Sequence, residues 1–169
     1  DREKFEIFGY SLISNNEDNL QKRLKKSFDV FKDVSEISDK EVALLSRQDK
    51  IDIAIDLNGY TINNRSSIFA YRVAPIQINY LGFPGTMGAK FIDYIIADQY
   101  LIPDSNKKYF TEKKIYLPYT YMPTDNTRKF SNHNISRSDM SLPNNAFVFC
   151  CFNNNYKITN QEFDIWMRL

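Results

Sequence analysis

The sequence predicts an α/β fold, an open sheet with helices on both faces. Three observations carry that reading. Over the first 57 residues, short runs rich in branched and aromatic side chains alternate with polar, helix-periodic segments, in the order β-α-β-α-β. One of those helices carries a complete start signal. Ile51-Asp52-Ile53-Ala54-Ile55-Asp56-Leu57 places an apolar residue at every second position, the period of a strand.

Phe5–Ile13 is the first strand by its aromatic and branched content. A polar helix follows from Glu17 to about Lys26, with Leu20 and Leu24 four residues apart on one face. Its Lys22, Arg23, Lys25 and Lys26 read as a solvated face, because acidic residues flank them and no aromatic residues interleave. Phe28–Val34 is the second strand. Ser38 and Glu41 then have capping-box spacing, and Ile37 and Val42 have hydrophobic-staple spacing, so a helix starts at Ser38 and runs to about Gln48. After the third strand comes the turn Asn58-Gly59, at a strand's carboxyl end, where open α/β sheets bind ligands.

A short helix around Ser66–Tyr71 is stopped by Pro75. Ile76–Leu81 is a strand, followed by the loop Gly82-Phe83-Pro84-Gly85-Thr86-Met87-Gly88, with glycine at every third position. Glycines there let backbone approach a ligand closely, although a tight turn between strands has the same spacing. Asp93–Asp98 and Ile115–Leu117 are further strands. From Tyr119 to about Asn145 the composition shifts to Asn, Ser, Thr and Pro without periodicity, as in a linker. Ala146–Phe152 reads as a strongly apolar strand, and Thr159 with Glu162 opens a second capped helix.

Composition removes several functions. The 169 residues carry a net charge of +1, which argues against a nucleic-acid footprint. The longest apolar runs, such as Phe147–Phe152, are too short to span a membrane. No secretory leader opens the chain, and the adjacent Cys150 and Cys151 form no useful staple, so the cytoplasm is the expected compartment. The one histidine, His133, lies in the polar linker and reads as solvated. Zinc-ligand spacing, a Walker loop and the GxGxxG fingerprint do not occur, which disfavours nucleotide hydrolysis and NAD chemistry.

Phe152-Asn153-Asn154-Asn155-Tyr156-Lys157 says more. It joins an apolar strand to a capped helix, so Lys157 falls just ahead of a helix N-terminus, where free N–H groups, the helix dipole and an ammonium favour a phosphate. The carboxamide of Asn154 could hydrogen-bond sugar or phosphate oxygens, and an exposed polar loop would have the same composition.

Four runs in order, Ile55–Thr61 (IDLNGYT), Ala74–Ala89 (APIQINYLGFPGTMGA), Phe91–Gln99 (FIDYIIADQ) and Phe147–Thr159 (FVFCCFNNNYKIT), resemble the catalytic region of the O-linked N-acetylglucosamine transferases. That family includes the plant fucosyltransferase paralogue Spindly and bacterial proteins with tetratricopeptide repeats ahead of this region. The resemblance implies a GT-B fold: two Rossmann-like lobes with a nucleotide sugar between them and no metal. Residues 1–142 would then be an N-terminal lobe incomplete at its start, with a linker over about 119–142, and residues 143–169 the first strand and helix of a second lobe.

Carried over by position, Lys157 matches a lysine that contacts the donor diphosphate and stabilises the leaving UDP, and Asn154 an amide residue beside it. Leu81, Gly82, Phe83 and Pro84 match the wall beside donor sugar and acceptor, and Arg65 an arginine near the cleft. The implied reaction moves N-acetylglucosamine, with inversion, from UDP-GlcNAc to Ser or Thr hydroxyls of a protein or peptide. Two positions depart from the family: Ile62 replaces a lysine and Tyr119 a histidine, which leaves room for a non-catalytic protein-binding scaffold. GDP-fucose or UDP-glucose are alternative donors. A DFxxH motif is expected ahead of Asp1 and most of the nucleotide pocket beyond Leu169, so these 169 residues alone are expected to be silent.

Overall fold

A computed structural model describes residues 1–14, 18–129 and 131–169, and divides the chain into two units, Asp1–Thr124 and Asp125–Leu169. In the first unit the elements run β1 (Phe8–Ser11), α1 (Asn19–Lys25), β2 (Val30–Asp33), α2 (Asp39–Gln48), β3 (Ile53–Asp56), α3 (Ser67–Ala70), β4 (Ile76–Asn79), β5 (Tyr94–Ala97) and β6 (Lys113–Tyr116). A 3-10 turn, Asp104–Tyr109, precedes β6. All pairings are parallel: β1 with β2 in one sheet, and β3-β4-β5-β6 in the other. This is the α/β architecture that the alternating segments predict. Glu17, the expected start of α1, lies outside the described residues, and Asp18 caps that helix through the Gln21 amide.

The signals at α2 are realised in full. Ser38 Oγ accepts from the Glu41 amide at 3.3 Å, and the Ser38 amide donates to Glu41 Oε2 at 2.8 Å. Ile37 packs on the cluster that contains Val42, the staple's other half. Ser38→Ala is expected to cost about 1 kcal/mol, read as a lower urea midpoint at unchanged slope; an unchanged midpoint would show that Glu41 alone secures the helix start.

Helices cover one face of the larger sheet rather than the expected two. The core of Val34, Val42, Ala43, Ile68, Phe69 and Val73 gathers α2 and α3 over the side to which Ala54 points. The strand register puts Ile53, Ile55, Ile76, Ile78, Tyr94, Ile96 and Ile115 on the opposite side. There Ile53 and Ile55, on the edge strand β3, are 48 % and 46 % exposed, while Ile78 on β4 is 6 % exposed; Asp56, on the covered side, is 4 % exposed. The period-2 pattern of β3 therefore holds, with its isoleucines on the side that is open at this edge. The cause lies in the connections: β4 to β5 and β5 to β6 cross through a loop and a 3-10 turn, and neither supplies an amphipathic helix for the second face.

Two buried polar side chains, Gln77 and Asp98, are hydrogen-bonded internally. Gln77, fully buried in β4, accepts from the Val73 amide at 2.7 Å and donates to the carbonyls of Phe69 and Phe91. Just past β5, Asp98 accepts from the amides of Leu101 (2.7 Å), Tyr100 (2.9 Å) and Tyr121 (2.8 Å). These bonds, that from Leu101 first, hold its carboxyl below the usual aspartate range against the opposing effect of burial. A depressed folded pKa stabilises the fold above the unfolded value of about 3.9 and ceases to do so as pH falls through the folded value. Asp98→Asn is thus expected to be less stable than the parent at pH 7, with the gap closing below about pH 4. A gap that stays constant across this range in urea titrations would rule out that linkage.

In the second unit only the 3-10 turn Asn155–Lys157 and the helix α4 (Asn160–Trp166) are regular, and no described residue is buried. The strand expected at Ala146–Phe152 is absent: these residues are irregular, and Phe152 is 97 % exposed. A strand is completed by a neighbour's hydrogen-bond ladder, and no described segment pairs with this one. Cys150 and Cys151 are free and exposed. Among the described residues, no helix is long and apolar enough to cross a membrane.

Candidate functional site

The loops beyond the carboxyl ends of β3 and β4 are tied to one another by hydrogen bonds. At the end of β3, buried Asp56 accepts from the amides of Asn58 (2.9 Å) and Gly59 (3.0 Å) through one oxygen, and from the Ser66 hydroxyl (2.8 Å) through the other. One carboxylate thereby shapes the Asn58-Gly59 turn and ties it to the start of α3. Gly59 has φ +55°, and a Cβ there would lie 2.5 Å from Phe83 Cβ, so the turn needs glycine for both conformation and space.

Beyond β4 the chain reverses within a γ-turn. Leu81 has φ +74°, and the Gly82 amide donates to the Tyr80 carbonyl at 3.0 Å and to that of Leu57 at 3.1 Å. Such a conformation at a branched residue stores about 1–3 kcal/mol of strain and persists only where its surroundings hold it. Several groups do. Asn79 Nδ2 donates to the carbonyls of Phe83 (2.9 Å) and Gly85 (3.3 Å). The rings of Tyr60 and Phe83 meet at 5.6 Å, and the Tyr60 hydroxyl donates to the Met87 carbonyl at 3.0 Å. Buried Glu112 accepts from the Thr86 hydroxyl (2.7 Å) and the Met87 amide (2.6 Å). Leu81, Gly82, Phe83 and Pro84 therefore form a stiff ledge beside the Asn58-Gly59 turn, where parallel α/β sheets offer their ligand sites.

Arg65 does not join the ledge. Its guanidinium donates to Asp39 (2.7 Å) and to the carbonyls of Val34 (2.8 Å) and Ile37 (2.7 Å), binding the segment ahead of α2 to the segment ahead of α3. In the second unit, Lys157 ends the 3-10 turn and is exposed, and Asn154 caps that turn. The Thr159 amide and hydroxyl both donate to Glu162, one half of the capping box at the start of α4. Lys157 carries its ammonium two residues ahead of that cap. No cluster of three His, Cys, Asp or Glu side chains suited to a metal occurs among the described residues.

Asp56, Asn79, Tyr60 and Glu112 escape a reading based on spacing alone. For Asp56 and Asn79 the available signal is a polar residue ending an apolar strand, since a buried polar group is more informative than an exposed apolar one; Tyr60 and Glu112 lie outside the strands and carry no such signal.

Residues 1–135 match the model of glycosyl transferase family 41. The chain belongs to that family. It is 39 % identical over 173 residues to the probable UDP-N-acetylglucosamine–peptide N-acetylglucosaminyltransferase SEC of Arabidopsis thaliana, an alignment covering 99 % of this chain and 18 % of that protein. A Caenorhabditis elegans protein named UDP-N-acetylglucosamine–peptide N-acetylglucosaminyltransferase is 41 % identical over 129 residues, covering 76 % of this chain and 11 % of its own length. Among solved structures, a lysine-to-methionine mutant of Thermobaculum terrenum O-GlcNAc transferase superposes with a TM-score of 0.69 at 35 % identity, covering 73 % of this chain and 24 % of that one. The family-41 chain thus spans about a fifth of its relatives' length, and its first unit is a Rossmann-like lobe of a GT-B glycosyltransferase.

Proposed function

We propose that the protein containing these residues transfers N-acetylglucosamine from UDP-GlcNAc to serine or threonine hydroxyls of proteins, inverting the sugar's anomeric centre. The observation that carries this is family-41 membership together with relatives named for that donor and a peptide acceptor. In such a transfer the acceptor oxygen forms a bond to the anomeric carbon as the bond to the diphosphate breaks, and negative charge grows on the departing UDP. Lys157 meets that charge with its ammonium, without a metal ion, and Asn154 adds a carboxamide donor to the same diphosphate. Leu81, Gly82, Phe83 and Pro84 form the wall along which sugar and acceptor lie. The rigidity of the ledge supports this role, because a preformed wall needs no reorganisation when the sugar transfers. Arg65 serves the site through the fold, by holding the loops ahead of α2 and α3. The protein acts in the cytoplasm with tetratricopeptide repeats ahead of this region, and the 169 residues alone turn nothing over.

A second reading has one observation in its favour. Ile62 and Tyr119, which stand where the family has a lysine and a histidine, are 91 % and 86 % exposed. Bare apolar side chains at those places suit a surface that binds protein, and a transferase-like scaffold would use them so. The full-length protein offered UDP-GlcNAc, UDP-glucose and GDP-fucose with a serine-rich peptide separates the cases. Release of UDP with sugar on the peptide from the first donor alone supports the transferase reading. Transfer from another donor corrects the sugar, and peptide binding without transfer favours the scaffold.

A further inference from the structure

One buried side chain lies between the ledge and the Asn58-Gly59 turn. Asn79, the last residue of β4, is fully buried. Its Nδ2 donates to the Phe83 carbonyl in the ledge and to the Gly85 carbonyl just after it. Its Oδ1 has no hydrogen-bond partner among the described residues, and a Cβ built on Gly59 would stand 3.1 Å from it. The amide orientation is dictated by these neighbours, since the reverse one would press the oxygen against two carbonyls. A buried acceptor left without a donor calls for an explanation. Here the explanation is reach: only a carboxamide of this length places two N–H groups in the ledge while its oxygen rests under the Asn58-Gly59 turn. The ledge it holds begins at the strained Leu81 turn, which would relax if the carbonyls that follow it were released.

We propose that Asn79 is a positioning residue for the donor sugar: it fixes the height of the Leu81–Pro84 ledge against the Asn58-Gly59 turn. The proposal rests on the transferase reading above, and concerns the sugar end of the donor rather than its diphosphate. Aspartate keeps the shape but turns a carboxylate toward two carbonyls. Leucine keeps the volume and leaves both carbonyls unpaired.

The test uses the full-length protein with Asn79→Asp and Asn79→Leu, reading kcat and KM for UDP-GlcNAc and the inhibition constant of UDP, which lacks the sugar. The expected result is a KM raised by about tenfold in at least one variant, with kcat within about threefold of the parent and UDP inhibition unchanged; tenfold corresponds to one misplaced hydrogen-bonded contact. A KM that stays at the parent value, or KM, kcat and UDP inhibition all worsening together, overturns the proposal and leaves Asn79 a support of the fold alone. If Asn79→Leu does not fold, Asn79→Asp decides. If neither folds, Asn79 is a core residue and the proposal falls. A parent that transfers no sugar from UDP-GlcNAc defeats the transferase reading itself, a result visible before any variant is made.

Discussion

Lys157→Ala in the full-length protein is expected to lower kcat for sugar transfer by about 10²–10³, the usual effect of deleting one preorganised group that faces developing charge. The expectation rests on where the lysine sits. It is exposed at the end of the Asn155–Lys157 turn, two residues ahead of the α4 cap. Its ammonium is a full positive charge, where a helix start offers only partial charges to a leaving diphosphate. Because the side chain is exposed and packs in no core, the same substitution should leave folding stability within about 0.5 kcal/mol of the parent. Loss of turnover with an unchanged unfolding curve is the signature to look for. Parent-like turnover would remove Lys157 from the mechanism, and a matching fall in stability would make its role structural.

Gly82→Ala carries the largest expected change in stability. The added Cβ would stand 2.3 Å from the Leu57 carbonyl oxygen and 2.9 Å from that of Asn58. Both obstacles are backbone, and neither can swing away as the tip of a side chain can. The same glycine donates its amide to Leu57, so relieving the clash also pulls apart the link between the ends of β3 and β4. A loss of about 3 kcal/mol is expected, the upper end of the usual cost of forcing atoms into filled space. Gly88→Ala is the matched control: beyond its chain neighbours no atom of the described residues lies within 4 Å of its Cβ position, and its φ of +59° is what opposes a side chain. That change should cost about 1 kcal/mol. Urea unfolding of the two variants side by side decides the matter. Equal midpoints would mean that the ledge is not wedged against the β3 exit.

What could be read from the sequence follows from the range of the forces involved. The start of α2 was legible because Ser38, Glu41, Ile37 and Val42 settle it within a few residues. The strands were legible as strands, yet their sidedness was not. Ile53 and Ile55 alternate as a buried row would, but which row is covered depends on where α2 and α3 return, a property of distant connections. Ala146–Phe152 shows the same limit more sharply. Its composition favours a strand, and the ladder that would make it one must come from another segment. At the site, glycine spacing marked the ledge, and family resemblance marked Leu81, Gly82, Phe83 and Pro84 in it. The side chains that hold the ledge and the loop after it, Asn79, Tyr60 and Glu112, bond across separations of up to 27 residues along the chain and come together only in three dimensions. Arg65 reverses the case. Its sequence position points to the cleft, and its three inward hydrogen bonds are visible only in the fold.

Sugar transfer from a nucleotide donor to a hydroxyl is measured by incubating the full-length protein with UDP-GlcNAc and a serine- and threonine-containing peptide, and following the peptide's mass together with UDP. One N-acetylhexosamine on a Ser or Thr hydroxyl for each UDP released is the expected result. Folded protein that yields neither sugar-bearing peptide nor UDP would contradict it.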